Sequence, residues 1–191
     1  MALRIIDGVP GAGKTFYAVW HLAKNYFKKV FTEDEPIYGF FLNILYAFLP
    51  FLKPARDFVY ELDRDCTLIT NIDNFKVDHL SLNKEIEKAG LAAEQAILDD
   101  QFLSDRERQA LLKKLDPVAE FFSYSYQEEY KVGKPQIVYV IDEAQRFFRK
   151  GMDKVLKEHR VYDYFEYHRH WGQDIYLVTQ NVKKLPPDIV Y

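Results

Sequence analysis

The sequence predicts an α/β fold in which a mainly parallel β-sheet is flanked by helices. Four short runs rich in apolar and β-branched residues are expected to form the strands: Leu3–Ile6, Thr67–Thr70, Ile137–Ile141 and Ile175–Thr179. Each run is apolar on both faces, as in strands that helices cover on both sides. Helical patterns separate the runs, and this alternation is typical of a parallel sheet.

A glycine-rich loop follows the first run. Its residues are Gly8, Val9, Pro10, Gly11, Ala12, Gly13, Lys14 and Thr15, which complete the G-x-x-x-x-G-K-[ST] pattern. In this pattern backbone amides surround phosphate oxygens, the lysine reaches the β- and γ-phosphates, and the hydroxyl reaches Mg²⁺. From Phe16 to Val30 apolar residues recur at steps of three and four, which predicts a helix whose N-terminus faces the anion. The loop therefore predicts a P-loop nucleotide-binding domain.

Two carboxylates, Asp142 and Glu143, end the third run. Asp142 is the expected Mg²⁺ ligand together with Thr15, because Mg²⁺ prefers oxygen donors. Glu143 is the expected general base for an attacking water, a role that a small-molecule kinase does not need. The alternative is that Asp142 only caps the next segment. With the glycine-rich loop, the pair predicts ATP and Mg²⁺ as cofactors and hydrolysis as the reaction.

The fourth run ends in Thr179 and Gln180. In ATPases of this kind the strand between the two motif strands ends in a polar residue that touches the γ-phosphate or the attacking water. Gln180 is the candidate for this catalytic role, with Thr179 behind it. The alternative is a polar strand end that hydrogen-bonds only to backbone.

The composition fits one domain over residues 1–191. The chain is 48% hydrophobic, and its formal net charge of −3 excludes a basic field over the whole surface. Cys66 is the only cysteine, so an intrachain disulfide is excluded, which fits a reducing compartment.

Two insertions are predicted, at about residues 33–62 and 81–130. The first contains the uncharged, aromatic-rich run Ile37–Leu52. This run is either a buried or subunit-packing segment, or a segment that lies on or dips into a membrane.

The second insertion is predicted to be mostly helical. Ser104 and Glu107 form a capping box at the start of one helix, and Pro117 suits the first turn of another. The residues expected to face inward are Ala110, Leu111 and Leu115 in the first helix, and Val118, Phe121 and Phe122 in the second.

Three blocks carry a family resemblance: residues 8–15, residues 141–148, and His168–Ile175 running into Gln180. In these blocks the sequence resembles the zonula occludens toxin-like family, which includes the filamentous-phage assembly ATPases. Thr70-Asn71-Ile72, after the second run, also fits the family. The third block is the most discriminating, since the first two occur across many ATPases.

The resemblance implies a RecA-like core and an Mg²⁺-dependent ATPase motor that drives filamentous-phage assembly and extrusion. It would work at the cytoplasmic face of the bacterial inner membrane, with phage single-stranded DNA and coat protein as partners. Full-length family members usually carry a transmembrane helix after this domain, so the resemblance implies membrane attachment through a segment beyond Tyr191 or through residues 37–52. The alternative function is a nucleotide-gated membrane assembly scaffold with little hydrolysis.

Arg169, just before the last run, is the candidate catalytic arginine finger. It would act on the nucleotide of a neighbouring subunit, which requires a homo-oligomer such as a ring. Arg160 is the second candidate for this finger, and a structural ion pair is the alternative role for Arg169.

A basic stretch follows the carboxylate pair: Arg146, Arg149, Lys150 and Lys154, with Phe147 and Phe148 among them. Cationic and aromatic side chains together suit a single strand of DNA. A solvated basic surface is the alternative.

Overall fold

The computed structural model describes residues 3–9, 11–31, 58–62, 65–72, 75 and 77–190. Its strands are β1 Leu3–Asp7, β2 Phe27–Phe31, β3 Phe58–Leu62, β4 Cys66–Thr70, β5 Leu80–Ser81, β6 Gln136–Ile141 and β7 Gln173–Thr179. Its helices are α1 Lys14–Tyr26, α2 Leu82–Asp99, α3 Asp105–Lys114, α4 Pro117–Phe121, α5 Tyr124–Tyr130, α6 Asp153–Glu158, α7 Val161–Tyr167 and α8 Pro187–Val190. Short 3-10 segments cover Ala144–Arg146, His168–Trp171 and Val182–Lys184.

The main sheet has five strands in the order β1-β7-β6-β4-β5, and every pairing in it is parallel. This confirms the predicted fold class and all four predicted strands. The last strand, β7, lies between β1 and β6, with Asp7 opposite Thr179 and Ile141 opposite Leu177. Because the strands are parallel, the loops that follow β1, β6 and β7 meet at one edge of the sheet.

Helices cover both faces of the sheet. On one face, alternate residues of β6 and β7 such as Tyr139 and Leu177 pack against aromatic side chains from α4 and α7. On the other face, Val138 and Val178 pack against Ala18 of α1. Successive residues of a strand point to opposite faces, so strands that are apolar throughout serve both cores at once.

The first helix is shorter than the sequence pattern indicates. It ends at Tyr26, and Phe27–Phe31 forms β2, which pairs antiparallel with β3. The helical expectation for Phe27 and Val30 is therefore wrong, because aromatic and β-branched residues at these positions suit a strand as well as a helix. The run 37–52 lies outside the described residues, and the predicted domain and insertion boundaries stay predictions.

The segment between β5 and β6 is helical, as predicted. Ser104 Oγ accepts the Glu107 backbone N–H at 3.4 Å, while the Ser104 backbone N–H donates to Glu107 Oε2 at 2.9 Å, which confirms the capping box. In α4, Pro117 lies in the first turn and Phe121 is fully buried.

The inward face predicted for α3 is wrong. None of the residues of α3 is buried, and both Ala110 and Leu111 are exposed. This helix lies along α2, whose buried residues are confined to its first half, so α3 has no core to face.

Among the described helices, none combines the length and hydropathy needed to cross a membrane.

Gly90 of α2 is expected to be essential for the packing of α2 on α4. A Cβ atom at this position would lie 2.9 Å from Pro117 Cβ, closer than real contacts allow. The Gly90→Ala variant should lose about 1–3 kcal/mol of unfolding free energy through overpacking, despite the better helix propensity of alanine. Chemical denaturation measures this loss. Ala92→Gly, on the exposed face of α2, is the control for propensity alone, and an unchanged or raised stability of Gly90→Ala would contradict the packing argument.

Candidate nucleotide-binding site

The glycine-rich loop leaves β1 and ends at the start of α1. Gly11 and Gly13 have φ values of 79° and 73°, a left-handed conformation in which glycine is unstrained. Gly13 is the N-cap of α1, so the amides of the first helical turn have no carbonyl partner within the helix. Lys14 Nζ donates to the Val9 carbonyl at 2.9 Å, which folds the lysine over the loop. Pro10 lies outside the described residues.

The space around the loop fits a phosphate chain. A Cβ atom built on Gly11 or Gly13 would meet nothing within 4 Å, whereas one on Gly8 would lie 3.4 Å from Lys14 Cδ. Free helical amides, open space and one lysine are the features that bind a phosphate at a helix N-terminus.

Thr15 and Asp142 join the loop to the end of β6. The Thr15 hydroxyl donates to Asp142 Oδ2 at 2.9 Å. Neighbouring oxygen ligands of an octahedral Mg²⁺ lie about 2.9 Å apart, given metal–oxygen distances near ~2.05 Å. The two side chains therefore fit a magnesium ion that nucleotide phosphates and water would complete. No group of three or more His, Cys, Asp or Glu side chains in the described ranges has metal-binding geometry.

Glu143 lies directly after Asp142 and is held by two glutamines. Its backbone is left-handed, with φ 52°, and it precedes the 3-10 segment Ala144–Arg146. Gln180 Nε2 donates to Glu143 Oε1 at 2.7 Å, and Gln145 Nε2 donates to Glu143 Oε2. Thus the structure brings Gln180 to Glu143, across the ends of two neighbouring strands.

Asn71 holds the backbone of Asp142 from the end of β4. Its Nδ2 donates to the Asp142 carbonyl at 2.8 Å, and its Oδ1 accepts the Asp142 N–H at 2.7 Å. These two bonds continue the β4–β6 ladder through a side chain beyond Thr70, the last paired residue. The sequence shows Asn71 only within a family pattern, because its partner is 71 residues away.

Replacing Asn71 by alanine should loosen the position of Asp142. The loss of two hydrogen bonds to half-buried backbone groups is expected to cost about 1–3 kcal/mol of unfolding free energy. If about 1.4 kcal/mol of this cost also appears in the transition state, hydrolysis falls about tenfold. Denaturation and phosphate release measure the two effects. Asn83→Ala, at an exposed position of α2, should change neither, and an unperturbed Asn71→Ala would contradict the role of this side chain.

The two candidate finger arginines have different surroundings. Arg160 donates to Asp163 Oδ2 at 2.6 Å, and its guanidinium carbon lies 4.5 Å from the centre of the Tyr124 ring. The Arg169 side chain is exposed and makes no ion pair or hydrogen bond with the described part of the chain. Arg169 follows His168, a side chain whose pKa is lowered by burial. Arg169 lies at the amino end of β7, away from the glycine-rich loop.

The basic stretch after Glu143 is only partly available to a ligand. Arg146, Arg149 and Lys150 are exposed, but Phe148 is fully buried and Phe147 packs against the same core. Phe148 is therefore not a stacking surface for DNA bases, which corrects that part of the prediction. Aromatic residues in the fold's core and at a nucleic-acid surface look the same in sequence.

The parallel sheet, the glycine-rich loop that follows β1 at its carboxyl edge, and the carboxylates that follow β6 at the same edge define a P-loop NTPase-like domain. The profile of the family described as zonular occludens toxin (Zot) matches residues 2–190. The chain belongs to this family, which confirms the resemblance seen in the sequence.

A solved structure is similar to this chain: the crystal structure of the N-terminal domain of zonular occludens toxin from Neisseria meningitidis. The two share 20% identity with a TM-score of 0.48, over 99% of this chain and 71% of the other. No curated protein sequence gave a significant match.

Proposed function

We propose that this chain is an Mg²⁺-dependent ATPase that hydrolyses ATP to ADP and phosphate as the motor for filamentous-phage assembly and extrusion. One observation carries the proposed hydrolysis, whereas the role in phage assembly rests on membership of the family. The contact between Thr15 and Asp142, at 2.9 Å, lies at the same sheet edge as the contact between Glu143 and Gln180, at 2.7 Å. A metal-binding pair and a candidate base are thus presented beside one phosphate-binding loop.

Each group has a distinct part in the proposed reaction. The loop amides and Lys14 hold the β- and γ-phosphates. Mg²⁺, when bound by Thr15 and Asp142, neutralises charge on the phosphate oxygens. Glu143 orients the attacking water and takes its proton as the water oxygen bonds to the γ-phosphorus and the bond from that phosphorus to the β,γ-bridging oxygen breaks, so ADP leaves. Gln180 fixes the Glu143 carboxylate from the side of β7.

The direct test of the activity is phosphate release by the purified chain. We expect release that requires Mg²⁺ and stops when EDTA is added. Nucleotide binding without release would overturn the proposed hydrolysis and favour the nucleotide-gated scaffold instead.

The role in extrusion needs a separate test in the host that produces the phage. Phage titre should collapse when the Glu143→Gln allele replaces the wild-type gene, and an unchanged titre would overturn that role.

We propose Arg169 as a finger that acts across a subunit interface. Its exposure and lack of a described partner support this role, whereas Arg160 is already paired. Arg169 and the glycine-rich loop lie at opposite ends of the sheet, so a head-to-tail oligomer would bring one subunit's arginine to the next subunit's nucleotide.

Mixing two inactive variants should therefore restore hydrolysis. Lys14→Ala lacks a working loop and Arg169→Ala lacks the finger, so mixed assemblies contain some interfaces with both groups intact. Phosphate release by the mixture should exceed the sum of the separate proteins severalfold. Arg160→Ala is the matched control and should retain most activity alone. A mixture that stays inactive, or an Arg169→Ala protein with wild-type activity, would contradict the finger.

Phage single-stranded DNA is the partner we propose for a second surface, here called the basic edge: Arg146, Arg149, Lys150, Lys183 and Lys184. The Lys150 N–H donates to the Lys184 carbonyl at 3.0 Å, which joins the segments after β6 and β7. All five side chains are exposed, and none pairs with a carboxylate in the described residues. Like-charged groups held together favour a polyanion.

Binding of a fluorescent oligo(dT) tests the basic edge. The affinity for the oligonucleotide should fall as the salt concentration rises, because the electrostatic part of the binding free energy comes from released counterions. The affinity should fall further in a Lys183→Glu/Lys184→Glu variant. A Lys113→Glu/Lys114→Glu variant of α3 is the charge-matched control. Equal loss in both variants would contradict a specific surface. Coat protein and the inner membrane remain proposed partners on the family resemblance, through residues 37–52 or a segment that follows this domain.

A further inference from the structure

We propose that Gln145 is a positioning residue that, with Thr179, orients the Glu143 carboxylate for hydrolysis. The inference rests on the proposed function and deepens it. The sequence places Gln145 only inside a motif, with no role of its own. In the structure it links the ends of β6 and β7 through a chain of hydrogen bonds, here called the Thr179–Gln145 relay.

The relay holds one oxygen of the Glu143 carboxylate, and Gln180 holds the other. Gln145 Nε2 donates to Oε2, and Gln180 Nε2 donates to Oε1 at 2.7 Å. On its other side, Gln145 Oε1 accepts the Thr179 hydroxyl at 2.7 Å. The carboxylate is therefore held between two amides that approach from different segments. One of these amides is itself fixed by a third side chain.

Thr179 determines which way the Gln145 amide points. Its hydroxyl accepts the Asn181 backbone N–H at 3.3 Å and has one proton to give. Two acceptors lie within reach, the Asn181 carbonyl at 3.4 Å and Gln145 Oε1 at 2.7 Å, and the much shorter contact favours Gln145. Thr179 is only 1% exposed, so water does not replace this partner. With the amide oxygen engaged by a donor, the NH₂ end of Gln145 faces Glu143, where a carboxylate can accept from it.

The backbone allows Gln145 to contact the carboxylate of Glu143, although the two residues are only two positions apart in the chain. Ile141 pairs with Leu177, and Glu143 and Thr179 each lie two residues beyond this last pair, at the same end of the sheet. The left-handed conformation of Glu143 then turns the chain, and the Arg146 N–H donates to the Glu143 carbonyl at 2.7 Å. A tight turn directly after the base returns Gln145 to the carboxylate of its near neighbour.

Removal of the relay should affect the chemical step more than nucleotide binding. Gln145 makes no hydrogen bond with Lys14 or Thr15 among the described residues, so its loss should leave the phosphate-binding loop intact. Without Gln145, one oxygen of Glu143 loses its partner and the side chain samples other rotamers, so fewer molecules hold the base in the productive orientation. A residue with only a structural role would not lower kcat while leaving KM unchanged.

The test is a double-mutant cycle in phosphate release. Gln145→Ala and Thr179→Val should each lower kcat by about tenfold, with KM within about twofold of wild type, the pattern of lost transition-state positioning. The double variant should be no slower than Gln145→Ala, because both changes break one chain of contacts. Thr179→Ser, which keeps the hydroxyl, should recover most of the rate. Gln109→Ala, on the exposed side of α3, is the control.

Two results would overturn the relay: a Gln145→Ala protein with wild-type kcat, or multiplicative losses in the double variant.

A second readout does not depend on hydrolysis. The shifts of the urea unfolding midpoint for Gln145→Ala and Thr179→Val should be less than additive. Wild-type protein that releases no phosphate would overturn the proposed function. In that case additive midpoint shifts would also overturn the relay, whereas non-additive shifts would retain it as the device that orders Glu143.

Discussion

Replacement of Lys14 by alanine is expected to abolish ATP hydrolysis and to weaken nucleotide binding severely. Lys14 Nζ folds over the glycine-rich loop to the Val9 carbonyl, 2.9 Å away, where it is ready to meet a phosphate chain. At about 4 Å and an effective dielectric of about 20, one charge pair contributes on the order of 4 kcal/mol. A loss of this size corresponds to about a thousandfold in rate. Phosphate release and calorimetric titration with ATP measure the two effects.

Lys24→Ala is the matched control for this change. Lys24 lies on the same helix, is exposed and contacts the Trp20 ring, so its loss should leave hydrolysis unchanged. Equal melting temperatures for both variants would exclude unfolding as the cause. If Lys14→Ala binds ATP with wild-type affinity, the glycine-rich loop is not the phosphate site.

Glu143→Gln is expected to separate binding from hydrolysis. A positioned general base contributes about 10²–10⁴-fold to a proton-transfer step, and glutamine cannot take the proton. Lys14, Thr15 and Asp142 remain in place, so the ATP affinity should stay within a few-fold of wild type. Single-turnover phosphate release and equilibrium binding of ATP measure the separation.

The glutamine at position 143 also has a local structural effect. It replaces one acceptor oxygen by an NH₂ group facing Gln145 or Gln180, so one neighbouring amide must turn. A melting curve shows whether this adjustment spreads. Glu94→Gln, at an exposed position of α2, should keep full activity. Hydrolysis at the wild-type rate by Glu143→Gln would rule out Glu143 as the base.

Much of the fold is readable from the sequence because its signals are local. The apolar runs that form β6 and β7 are buried on both faces, and their short length and β-branched content favour strands over helices. In Phe27–Phe31 the apolar residues follow the helical spacing i, i+3 and i+4, so the pattern predicts a helix, and only pairing with Phe58–Leu62 shows that the segment is a strand. The exposure of α3 is not predictable from its sequence, because periodicity shows that a helix has an apolar face but not whether another element covers it.

The candidate site divides in the same way. The residues of the glycine-rich loop and Asp142-Glu143 follow patterns that chemistry imposes on neighbouring positions. Asn71 and the pair Gln145 and Thr179 act through contacts between strands that are far apart in the chain. Their roles depend on β6 having β4 on one side and β7 on the other, an order that no local pattern contains.

The central claim is that this chain cleaves ATP with Mg²⁺, and a single-turnover measurement tests it most directly. Purified wild-type protein, in excess over ATP labelled at the γ-phosphate, would be mixed with Mg²⁺ or with EDTA and quenched at intervals. We predict that the bound ATP is converted to ADP and labelled phosphate in the Mg²⁺ sample alone. Intact ATP recovered from the Mg²⁺ complex, or equal cleavage in EDTA, would contradict the claim.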